Sequence, residues 1–127
     1  MPDDRPPTDA HLCGRLYAAL EVLQRLGDID FRALGRESTR LRASKRPRTE
    51  MTTPLHTVGK SLYWARMRGN GVAASAVFRT IPDLMPSGRD LPGSLNPDQQ
   101  REFLRGRLAG LEAIEKLTPS GGAATGQ

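Results

Sequence analysis

Leu12, Leu16, Ala19, Leu20, Leu23 and Leu26 recur at spacings of three and four. That period is one face of a helix. Cys13, Tyr17 and Val22 widen the stripe, while Arg15, Glu21, Gln24 and Arg25 stay outside it. Thr8 or Asp9 suits the cap of this helix, and Gly27 its stop. A second long stripe runs through Phe103, Leu104, Leu108, Leu111, Ile114 and Leu117. Asn96 caps it, Pro97 takes the first helical position, and Gln99 reaches back in a capping box. Gly106 and Gly110 lie four apart on this helix, which predicts a close helix crossing. Thr118-Pro119 ends it.

The middle is less regular. Leu55, Val58, Leu62 and Ala65 predict a third helix, with Thr53 as cap and Pro54 in its first position. Gly69-Asn70-Gly71 stops it. Lys60, Trp64 and Arg68 fall on the face opposite its apolar stripe. A shorter helix from Val72 to Ile81 would bury Val77, Phe78 and Ile81, and Pro82 would end it. Ile29, Phe31 and Leu34 predict one helical turn behind the turn residues Asp28 and Asp30. Residues 84–95 read as a Pro/Gly loop. From Gly35 to Glu50 the pattern fails, with only Leu41 and Ala43 apolar. This stretch reads as a mobile basic loop, or one ordered by a partner. Substitutions at Arg40, Arg42, Arg46 and Arg48 are then expected to leave the fold intact.

The fold class expected is all-α, a small helical bundle of about four to five helices with a basic loop and disordered ends. A flexible lead (1–8), a helical bundle domain (9–118) and a disordered tail (119–127) divide the chain. Aromatics make up only 5% of the residues, which disfavours a sheet. Cys13 is the single cysteine, so no intrachain disulfide can form and a reducing compartment is expected. The acidic, polar start lacks the features of a signal peptide. No run reaches the roughly 18 apolar residues of a membrane span. A cytoplasmic location without membrane attachment is the expectation.

Charge adds a partner to this picture. The chain carries a net +5, but residues 32–82 hold eleven Lys or Arg against two Glu, a net +9. Sixteen of its nineteen bases are Arg, which forks onto phosphate oxygens and stacks on bases. A basic block between mildly acidic ends suits a surface that follows a phosphate backbone. The bland alternative is a solvated basic face. Candidate nucleic-acid contacts are Arg36, Arg40, Arg42, Lys45, Arg46, Arg48, Lys60, Trp64, Arg66 and Arg68. Trp64 has two readings: a ring that stacks on a base, or one buried against another helix or subunit.

No catalytic or metal constellation stands out. His11 and Cys13 lack the paired spacing of a zinc site, and Asp28 and Asp30 suit a turn better than a magnesium ion. There is no Gly-rich phosphate loop, and Ser61 has no histidine at a triad-like spacing. Neither an enzyme nor a cofactor is expected.

Two stretches together resemble a known family. Leu12-Cys13-Gly14-Arg15-Leu16-Tyr17-Ala18-Ala19-Leu20-Glu21, with Gln24, is similar to a helix in the C-terminal region of the type I-C CRISPR large subunit. Leu95, Gln100, Phe103 and Gly106 match the spacing at the end of that region, and Thr53-Pro54 its Thr-Pro helix start. Where the family has two aromatics after the last glycine, this chain has Arg107 and Leu108. In type I-C systems the region is also made separately, from an internal start, as the small subunit of the Cascade complex. The resemblance implies a helical bundle without enzymatic activity. It implies partners: guide RNA, target DNA with its displaced non-target strand, large and backbone subunits, and neighbouring copies of itself. The role implied is support of the displaced strand and the guide–target duplex during R-loop formation. A free-standing helical DNA-binding or regulatory protein, and a protein-interaction module, are the alternatives.

Overall fold

A computed structural model describes residues 7–27, 33–86 and 90–117. Its spine is two long helices, α1 (Asp9–Gly27) and α7 (Pro97–Leu117). They cross through small residues. A Cβ at Gly14 would strike the Phe103 carbonyl oxygen and stand 2.8 Å from the Arg107 nitrogen. One at Gly106 would strike the His11 carbonyl, and one at Gly110 would stand 2.9 Å from the Ala18 Cβ. The backbones therefore approach more closely than larger side chains allow. Moving up α1 from His11 through Gly14 to Ala18, the facing residues on α7 climb from Gly106 to Gly110 at the far end, so the two helices run parallel. Parallel neighbours need a long crossover, and everything between Gly27 and Pro97 supplies it. Asp9 and Asp98 sit in the first turns and Arg25 and Lys116 in the last, each favourable to the helix dipole. Asn96 and Gln99 exchange two hydrogen bonds of 2.8 and 2.9 Å, which is the capping box the sequence predicts.

Tyr17 and Phe103 meet edge to face at 5.7 Å in the centre of this spine. Both are fully buried beside Leu16, Leu20 and Leu23. Glu21, placed outside the stripe by periodicity, is buried instead. Its carboxylate accepts two bonds from the Arg107 guanidinium, at 2.9 and 3.0 Å. The fork neutralises a charge that would otherwise be costly to desolvate.

The expected basic loop is helical. A 3-10 turn (Ala33–Gly35) leads into α2 (Glu37–Lys45), and α3 (Pro47–His56) follows directly. The α2 helix has no large apolar stripe because it buries only Thr39, Ala43 and Ser44, so it packs close without bulky side chains. Pro47 sits at the start of α3, and Pro54 lies inside that helix rather than at its head. Pro54 has no N–H to donate to the carbonyl one turn back. The helix ends two residues later at His56, and α4 (Val58–Met67) restarts after Thr57. The Thr53 carbonyl accepts from both the amide and the hydroxyl of Thr57, at 3.0 Å each.

Gly69, at φ +83°, closes α4. The Asn70 amide returns to the Ala65 carbonyl at 2.7 Å and the Gly69 amide to Arg66 at 3.1 Å, a Schellman stop. Next come α5 (Gly71–Phe78) and the single turn α6 (Ile81–Leu84). Pro82 opens α6 instead of ending a helix that reaches Ile81. Phe78, expected in the core, is 37% exposed. The described part of the 84–95 loop tucks Leu91 and Leu95 inward. Its backbone staples the corner between α2 and α3: Arg48 N donates to Pro92 O at 3.0 Å and Leu95 N to Lys45 O at 2.9 Å. Among the described residues there is no strand, and seven α-helices replace the expected four to five. The turn around Asp28 to Phe31, most of the lead and the tail lie outside the described residues.

Candidate nucleic-acid interface

Helix geometry sorts the ten sequence candidates into outward charges and structural ones. Lys45, Arg46, Lys60 and Arg66 are exposed. Arg42 is also exposed, 3.5 Å from the Glu50 carboxylate and 3.3 Å from the Thr39 hydroxyl. Arg36 precedes α2 with extended backbone and gives no side-chain cap.

Three arginines have internal work. Arg40 is half-buried, and its Nε is enclosed without a hydrogen-bond partner. Its charge acts on Tyr17, whose phenol is nonetheless pushed up by burial and by Glu21. Arg48 donates from Nε to the Leu91 carbonyl at 2.9 Å, a second tie on the α2–α3 corner. Arg68 donates from Nε to the Gly27 carbonyl at 2.6 Å. Asn70 donates to Leu26 at 2.9 Å beside it. Together they satisfy the last carbonyls of α1, where a cation is electrostatically favoured. No sequence signal links Arg68 to a helix end forty-one positions earlier.

The surviving surface falls into two parts. Arg42, Lys45 and Arg46 ring the α2–α3 corner. Lys60 and Trp64 lie on the outer side of α4, as its periodicity predicts, with the structural Arg68 beside them just past its end. Ser61 and Ala65 face the core, with Val58 and Leu62 packed partly against it. Trp64 is 39% exposed and carries the Arg68 guanidinium 5.8 Å from its ring centre. Tyr63 and Met67, which sequence reasoning passed over, are more open at 54% and 63%. Their signal was available: neither belongs to the stripe through Leu55, Val58, Leu62 and Ala65. From Met51 to Pro82 the chain holds Lys60, Arg66, Arg68 and Arg79 and no Asp or Glu. The α4 surface is thus cationic and aromatic, with no carboxylate of its own element to oppose it.

Elsewhere, His11 Nδ1 lies 3.6 Å from Glu102, and Cys13 is buried in the spine. Among the described residues, no three His, Cys, Asp or Glu side chains lie where they could hold a metal ion. No described helix is long and apolar enough to cross a membrane. No family model matches the chain, and no curated protein does.

Proposed function

We propose that this chain is a non-enzymatic small subunit of a type I-C-like CRISPR RNA-guided interference complex. In that role it binds nucleic-acid backbone and supports the displaced non-target strand and the guide–target duplex. The residues that carry the family resemblance support the assignment. Gly14, Tyr17, Phe103 and Gly106 come from stretches far apart in sequence and meet in one helix crossing. They form a single packing signature.

The observation that carries the functional reading is the cationic surface of α4 and the α2–α3 corner. Exposed Arg and Lys side chains on rigid helices contact phosphates without reading sequence. Exchange of a DNA duplex for a guide–target hybrid is nearly balanced in energy, so such contacts can tip it. Binding of the purified chain to single-stranded DNA is expected to be sequence-blind and salt-steep. With about four to six phosphates neutralised, the slope of log affinity against log salt is roughly −3 to −4. A flat salt response would sink the reading. A strong preference for one duplex sequence would replace it with a free-standing DNA-binding protein.

A further inference from the structure

We infer that Tyr63 is a stacking platform for an unpaired nucleobase, with Trp64 and Arg68 as its buttress. This deepens the nucleic-acid reading above and rests on it. Tyr63 and Trp64 are sequence neighbours on α4, and their rings meet at 82° with centres 5.3 Å apart. Perpendicular rings cannot present one continuous flat surface, so the two residues have different roles. Trp64 already holds the Arg68 guanidinium on its ring, and Arg68 is itself fixed to the end of α1 through Gly27. Trp64 is therefore braced from the protein side. Tyr63 is braced by Trp64 and more than half open.

A rigid, open ring is the element that single-strand binders use, because every base has a π-face. A base in a duplex is stacked already and offers none. The surroundings favour nucleic acid over an apolar protein partner. Lys60 lies three residues before Tyr63 and Arg66 three after it, so both flank it on the helix surface, and no carboxylate occurs from Met51 to Pro82. An anionic strand is attracted to that surface, and Tyr63 supplies what a phosphate contact lacks, a grip on the base. Met67, one turn beyond Tyr63, extends the apolar floor.

The test measures affinity of the full chain for a labelled oligothymidylate and for the same strand made abasic, which keeps the phosphates and removes the bases. A duplex is the control. Tyr63→Ala should lose about tenfold on the normal strand and almost nothing on the abasic strand or the duplex, while Tyr63→Phe should keep wild-type affinity. Thermal melting confirms that each variant is folded. Equal binding of both strands by wild-type protein overturns the platform, and a retained steep salt dependence then leaves the basic-surface reading standing. Absence of binding to any strand at low salt overturns both. Conversion of a wild-type oligomer to monomer by Tyr63→Ala, with strand affinity unchanged, overturns the platform in favour of a protein interface.

Discussion

Gly14 and Gly106 are the residues on which the α1–α7 crossing depends, because a methyl group at either would meet a backbone carbonyl. A carbonyl cannot rotate away as a side chain can. Gly14→Ala or Gly106→Ala should lower stability by about 1–3 kcal/mol or more, read as a lower urea midpoint. Gly59 is the internal control. It lies within α4 with nothing near its absent Cβ, so Gly59→Ala should raise stability by about 0.4–1 kcal/mol. A neutral Gly14→Ala would show that the helices sit further apart. Cys13 gives a pH-dependent companion. Burial first, and then the negative charge of Asp9, pushes its thiol from 9.0 up to about 12. The fold thus favours the protonated form. Its contribution is whole below pH 9 and is lost as pH climbs towards 12. Native protein at pH 8 should resist alkylation at Cys13 until it is unfolded. Rapid alkylation without loss of helicity would contradict this burial.

At the scale of elements, the long helices were legible and the basic segment was not, for a physical reason. Periodicity reports large apolar side chains. The α1 and α7 helices bury Leu, Tyr, Phe and Ile, whereas α2 buries a threonine, an alanine and a serine. The corner between it and α3 is tied by contacts remote in sequence, Arg48 with Leu91 and Leu95 with Lys45. Thr53-Pro54 misled because proline suits a helix start, whereas here Pro54 sits inside α3, where it leaves the carbonyl one turn back without its amide donor and the helix ends two residues later. The outer side of α4 was legible because Val58, Leu62 and Ala65 fix its inner side. Which arginines are free was not, since a guanidinium reaches carbonyls that only the fold brings near. Stability should therefore divide the candidates. Arg48→Ala and Arg68→Ala each remove a charged donor from a backbone carbonyl and should cost about 1.5–3 kcal/mol. Lys60→Ala and Arg46→Ala should stay within about 0.5 kcal/mol of wild type, while weakening strand binding. Equal melting temperatures for all four would mean that Arg48 and Arg68 are as free as the others.

In the whole molecule, the excess positive charge sits apart from the spine. The parallel pair α1 and α7 is electrically balanced, with Glu21 closed by Arg107. The crossover between them carries the excess, a net +9 over residues 32–82. Core and cationic surface are thus largely separable, as the proposed subunit role requires. On the proposed role, co-expression with guide RNA, backbone subunits and large subunit should yield complexes containing more than one copy of this chain. Omitting it should leave guide RNA bound, because the other subunits hold the guide. Stable opening of target DNA should weaken, because the hybrid gains little over the duplex it replaces and the row of cations is gone. The deficit should have a salt signature. At low salt the remaining contacts suffice and the two complexes should differ little. As salt rises, electrostatic contacts fade, and the complex lacking this chain should fail first. A complex without it that opens target DNA as well as the full one across the whole salt series would refute the small-subunit role.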